Sequence, residues 1–182
     1  MLFHDQPAVA ELAALAQQRL SGVADQAGLD LVDRQWLHLT TYIVGFADEV
    51  PSEILDAMVA AAGNQLATVA PIPVTLGRVY YHPEAVVLVV EPLDALYPVL
   101  DAVRSVTRLA GCEGHTDSDP WLPHITVAYS HGTGPAGPVI AALGRSLPLT
   151  EVTIRSVSLV AQDQVGHSWQ WQPVAEVQLG GW

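Results

Sequence analysis

Apolar positions recur at helical spacing near the start of the chain. Val9, Leu12, Leu15, Ala16 and Leu20 predict an amphipathic helix over about 8–27, within an N-terminal helical region 1–30 that Gly28 ends. The period then changes. The run from Gln35 to Gly45 is rich in β-branched and aromatic side chains and predicts a strand, centred on 36–44. Ser52 is placed to cap a helix whose apolar face is Ile54, Leu55, Met58, Val59 and Ala62. Val74–Tyr81 and Ala85–Val90 predict two strands, and His82-Pro83-Glu84 between them predicts the turn of a hairpin. Leu96, Leu100, Val103 and Val106 or Thr107 then form the inner face of another helix, stopped at Gly111.

Residues 111–123 read as a polar loop, and 123–129 as a strand. A Gly/Pro-rich loop over 132–138 leads to a short helix over about 139–147. Residues 151–161 alternate through Val152, Ile154, Val157 and Leu159, and a last strand spans about 169–179. Helices and strands are mixed, neither strictly alternating nor segregated, which predicts an α+β fold with largely antiparallel pairing. Each half carries a strand with His-apolar-Thr, then a helix, then two strands. The expectation is a single bilobal domain over 1–182, with two pseudo-symmetric lobes of sheet and flanking helices around a central cleft.

Composition narrows the partners. Of 182 residues, 7 are basic and 19 acidic, a formal charge of −12, and every basic residue is arginine. Gripping a long polyanion rests on many Lys/Arg–phosphate contacts, so long RNA is disfavoured, and an anionic membrane surface equally so. A small anionic substrate stays open, because a few placed donors bind one phosphate. The lone cysteine, Cys112, rules out an internal disulfide and a cysteine-rich zinc site. Half the residues are hydrophobic, enough for a sizeable core. The N-terminus lacks the basic start of a signal peptide, and the most apolar run, Ala85–Val90, is too short to span a bilayer. A cytoplasmic protein is expected, and nothing in the sequence sets its oligomeric state.

The informative chemistry is a pair of triplets, His38-Leu39-Thr40 and His124-Ile125-Thr126. With a strand period of 2, His38, Thr40 and Tyr42 share one face, as do His124, Thr126 and Ala128, while Leu39 and Ile125 point into a core. A third triplet, His131-Gly132-Thr133, lies in a Gly-rich loop with no strand to align it. Imidazole titrates near neutrality, so of two facing histidines one takes a proton while the other gives one. Each threonine hydroxyl donates a hydrogen bond to a phosphoryl oxygen. Such a set breaks a phosphodiester without a metal.

Leu37-His38-Leu39-Thr40 with Gly45 shortly after, and Pro123-His124-Ile125-Thr126-Val127-Ala128, resemble the 2H phosphoesterase superfamily, in particular its 2′-5′ RNA ligase / RNA 2′,3′-cyclic phosphodiesterase group. The resemblance runs from about Gln35 to Leu179. It implies two lobes flanking a cleft, His38 and His124 as the acid/base pair, Thr40 and Thr126 as phosphate-binding residues, and no metal or cofactor. Within that frame His124 is expected as the base towards water and His38 as the acid towards the leaving oxygen. The implied activity is hydrolysis of a 2′,3′-cyclic phosphate or similar small phosphodiester, leaving a 2′-phosphate. RNA-directed members often carry an arginine five residues past the second His. Here that position is Tyr129, followed by Ser130. With the acidic balance, this favours a nucleotide-sized substrate and argues against RNA ligase activity. The alternatives are a non-catalytic nucleotide- or phosphate-binding module of the same fold, a 2′-5′ RNA ligase, and a metal-dependent hydrolase built on the loop residues His115, His131 and His167.

Other residues read more simply. Tyr81 and His82 are expected as turn residues, and the five tryptophans, Trp121 included, as packing. Arg34 and Arg78 are expected to be solvated.

Overall fold

The computed structural model describes residues 1–3 and 6–180. Five strands form one sheet in the order β1 (Leu29–Leu31), β4 (His124–Ser130), β3 (Ala85–Glu91), β2 (Ile72–His82), β5 (Ser146–Ile154). A second sheet is the two-stranded hairpin of β6 (Ser156–Val165) and β7 (Ser168–Gln178). Every pairing within these sheets is antiparallel. The fold is therefore the predicted α+β.

Strand β3 is central, and its run Val86–Val90 is buried throughout. A strand covered on both faces reads as a continuous apolar run rather than an alternation. On one face, Val86, Leu88 and Val90 join the main core with Leu76, Val79, Ile125 and the inner face of α1 (Pro7–Leu20). Helix α1 lies across β5 and β4 and beside α5 (Gly137–Leu143). On the side of the second sheet, α3 (Ser52–Leu66) packs on β7 and on α4 (Tyr97–Leu109). No described helix is long and apolar enough to cross a membrane.

The hairpin β2–β3 turns at His82-Pro83-Glu84 as predicted, with His82 paired to Ala85. Elsewhere the chain departs from the expectation for local reasons. The first helix stops at Leu20, and a short α2 (Ala24–Ala27) follows, closed by Gly28 in the left-handed region at φ 63°. Leu29–Leu31 add an edge strand that the pattern did not announce. Ser52 is the first helical residue rather than a cap; its hydroxyl meets Glu53 at 3.4 Å, and Pro51 precedes it. The alternation over 151–161 is two strands, not one. Its phase slips between Ile154 and Val157, and Arg155 separates β5 of the large sheet from β6 of the hairpin.

Candidate active site

The first motif follows a 3₁₀ turn, Arg34–Trp36. Residues 37–45 do not form the predicted strand of a ladder. They run extended, held by isolated bridges of Leu2 with His38 and of Ile43 with His115. Leu39 donates to the Met1 carbonyl at 3.0 Å and accepts from the Met1 amino group at 2.8 Å. The expected alternation survives without a ladder. Leu39 is buried in the core, while His38 and Thr40 on the other side are half-buried.

The second motif opens β4. His124 stands opposite Val89 and Thr126 opposite Val87 on β3, and Ile125 between them is fully buried with Leu88. An irregularity then shifts the register: Val87 pairs with Thr126, but the next β3 residue, Val86, pairs with Ala128. One extra β4 residue is accommodated there, as in a β-bulge. Ala128 consequently joins Val86 on the core side instead of sharing a face with His124 and Thr126. Tyr129 takes its place. Its phenol lies beside the Thr126 hydroxyl and within the field of Asp117; burial pushes the phenol up, Thr126 opposes the rise, and the Asp117 charge adds to it.

The structure brings the two motifs together. The Trp121 indole, three residues before His124, donates to the Thr40 carbonyl at 3.3 Å. The Tyr42 hydroxyl donates to the Glu113 carbonyl at 2.9 Å, and Ile43 and His115 exchange backbone hydrogen bonds at 2.8 and 2.9 Å. These contacts fasten the 111–123 loop onto the first motif. The two histidines are held alike. The Nδ1 of His38 is 2.8 Å from the Trp36 carbonyl, and the Nδ1 of His124 is 2.7 Å from the Leu122 carbonyl. A carbonyl only accepts, so each Nδ1 carries the proton and each Nε2 is left for chemistry.

The surroundings of the two rings differ. The side-chain amide of Gln162, on β6, donates to the His38 Nε2 at 3.2 Å. Burial pushes the His38 imidazole below the usual histidine range; the Trp36 hydrogen bond opposes this, while the Met1 ammonium and His124 charges add to it. On the His124 side stands Asp117. Burial pushes its carboxyl up, against the pull of His124, of hydrogen bonds at Ser118 and its own backbone, and of His115. Sequence reasoning missed Asp117 and Gln162. One lies in a loop without periodicity, and the other is brought in from 124 positions away along the chain.

Other candidates are engaged elsewhere. Arg78 pairs with Glu91 at 3.3 Å, and the Tyr81 hydroxyl donates to the Gly144 carbonyl. His131 stacks on His167 with centroids 4.7 Å apart and reaches Asp30 at 3.6 Å, while His115 lies against Ile43 in the first motif. Among the described residues, no three His, Cys, Asp or Glu side chains gather as a metal-ligand set. Trp36 meets Trp171 of β7 edge-on, with centroids 5.6 Å apart.

The family model of the 2′-5′ RNA ligase superfamily matches residues 5–166. No curated protein matches the chain in sequence. Among solved structures, the fold is similar to TT0787 of Thermus thermophilus, with a TM-score of 0.67 at 20% identity over 94% of this chain and 93% of that one. It is similar to E. coli LigT complexed with 3′-AMP, with a TM-score of 0.62 at 20% identity over 92% and 91% of the two chains. The MHV ns2 PDE domain superposes with a TM-score of 0.62 at 12% identity, over 97% of this chain and 95% of that one. With a family match across nearly its whole length, the chain belongs to the 2′-5′ RNA ligase superfamily, the 2H phosphoesterases.

Proposed function

We propose that the chain is a metal-independent phosphodiesterase that opens a 2′,3′-cyclic phosphate or a similar small phosphodiester. The observation that carries this reading is the matched setting of His38 and His124, each fixed through Nδ1 to the carbonyl two residues earlier. Family membership supports it, as does the likeness in fold to a phosphoesterase and to the MHV ns2 PDE domain.

One hydrogen bond supports an assignment of the roles. An amide nitrogen only donates, so the Gln162 contact favours a lone pair on the His38 Nε2. That is the form of a general base. Water replaces the Gln162 amide at this lone pair, and His38 takes a proton from the water as the water oxygen bonds to phosphorus. The bond from phosphorus to the leaving oxygen breaks, and protonated His124 gives its Nε2 proton to that oxygen. Thr40 and Thr126 donate to the non-bridging oxygens as charge grows there. This order reverses the sequence-based expectation, in which His124 is the base. No cofactor enters any step. Positioned acid–base groups contribute about 10²–10⁴-fold each.

The substrate is of nucleotide size. Tyr129 stands where an arginine would meet further phosphates, and the −12 charge repels a long polyanion. Turnover of a 2′,3′-cyclic nucleotide in excess chelator, with a 2′-monophosphate as product, tests the reading. Turnover that the chelator abolishes overturns it. Phosphate binding with no turnover of any small phosphodiester favours a non-catalytic binding module instead.

A further inference from the structure

A cavity of about 470 Å³ lies between α3 and the β6–β7 hairpin. His38 and Thr40 stand in its wall. The rest of that wall is mostly apolar, with Leu55, Val59 and Ala62 from α3 facing Leu159 of β6 and Trp171 and Val174 of β7. Among the described residues that line it there is no Asp, Glu or Arg. The cavity explains a packing anomaly. Leu55, Val59 and Ala62 form the apolar face of α3, yet all three remain half-buried, as do Val157, Leu159 and Val160 on β6. Two apolar faces approach each other without closing.

The volume falls in the range of small-molecule sites, which are mostly apolar with a few convergent polar groups. Here the convergent polar groups are those of the first motif. A nucleobase needs partners for its hydrogen-bonding edge. Of the other polar groups in this wall, the Tyr42 hydroxyl is spent on the Glu113 carbonyl, the Gln162 amide is spent on His38, and the Thr41 hydroxyl and the Trp171 indole N–H are buried, leaving Ser158, His115 and Trp169 as the remaining polar side chains of an otherwise apolar lining. An aliphatic chain makes no such demand.

We infer that this cavity seats an aliphatic arm of the substrate, an alkyl or alkyl-ester chain carried on the phosphodiester, with the phosphorus held between His38 and His124. The inference rests on the phosphodiesterase reading for the placement of phosphorus, and it narrows the substrate to a diester with an apolar arm.

Affinity of the full-length chain for methyl, butyl and octyl phosphate, measured by calorimetry, tests it. Burying each methylene favours binding about fourfold, so octyl phosphate is expected to bind on the order of 10²-fold more tightly than butyl phosphate. Ala62→Phe fills the cavity from the helix side. Ala161→Phe fills it from the hairpin side, at an exposed position where folding is not at stake. Both variants should level the series towards methyl phosphate. A flat series in the wild type, or a slope that survives both fillings, overturns the inference. Cyclic-nucleotide turnover on the same preparation separates the two claims. Turnover with a flat series sinks the apolar arm alone, whereas a steep series with no turnover of either the cyclic nucleotide or a dialkyl phosphodiester supports the arm and sinks the reaction.

Discussion

Gln162 stands with its side-chain amide 3.2 Å from the Nε2 of His38, although the two residues belong to opposite ends of the chain. The contact and the burial of the ring both favour neutral imidazole. The acidic limb of kcat/KM should therefore lie below the ordinary histidine value of about 6.5. Gln162→Glu sets a carboxylate beside the ring, favours the imidazolium, and should move that limb to higher pH. A pH–rate profile that stays in place in Gln162→Glu would contradict the base assignment.

The same depression has a consequence for stability. The unfolded chain takes up the His38 proton as pH falls through about 6.5, while the folded chain takes it up only at lower pH. In that window the unfolded state binds more protons, so stability is full above it and declines as pH falls. His38→Gln should reduce the loss of unfolding free energy between neutral and mildly acidic pH, read by denaturant titration at both. An identical loss in wild type and variant would place the ring in ordinary solvent.

Tyr129 reaches the site only because β4 takes in one extra residue after Thr126. If the phenol helps hold the phosphate, Tyr129→Phe should weaken phosphate binding by about 0.5–1.5 kcal/mol, the net worth of one hydrogen bond. Tyr129→Arg should raise affinity for short single-stranded RNA and steepen its salt dependence by about 0.7 in log–log slope, the signature of one added phosphate contact. RNA affinity that does not change with this arginine would separate position 129 from the substrate path.

The 111–123 loop carries Asp117, and it is fastened to the first motif at a glycine. Gly114 has φ 53°, and a Cβ there would run into the Tyr42 ring and meet the Ile43 carbonyl at 2.8 Å. Gly114→Ala should cost more than about 1 kcal/mol of stability, since alanine is strained at positive φ. It should also lower kcat by displacing the loop. Wild-type stability and turnover in this variant would mean that the loop docks in another way.

Ile125 separates the roles within one motif. It is fully buried between half-buried His124 and buried Thr126. Ile125→Ala should lose about 2–5 kcal/mol of stability. His124→Ala should leave the melting temperature close to wild type while turnover falls. Equal destabilisation by the two changes would make His124 a packing residue.

Local chemistry carried much of this fold into view. The His82-Pro83-Glu84 turn lies between two β-rich runs, and both strands and their hairpin follow from it. The pairing of the two His-x-Thr motifs was legible because the residue between His and Thr is apolar in both, which fixes the side that each imidazole takes. What stayed hidden depends on distant partners. Residues 37–45 look like a strand, but among the described residues their only strand-like partners are the isolated bridges to Leu2 and His115, which no local pattern announces. The slip in phase between Ile154 and Val157 was visible, yet only the sheet order tells that the chain changes sheets there. No local pattern announces the extra residue in β4, which exchanges Ala128 for Tyr129, or the arrival of Gln162 at His38.

The central claim is that His38 and His124 act as one unit on a single phosphate. Initial rates of 2′,3′-cyclic nucleotide hydrolysis in chelator, for wild type, His38→Ala, His124→Ala and the double variant, test it most directly. Each single change should cost about 10²–10⁴-fold. The double variant should lose little more than either alone, because groups that act together are not additive. Turnover that survives both substitutions, or a double variant whose loss is the product of the two single losses, would contradict it.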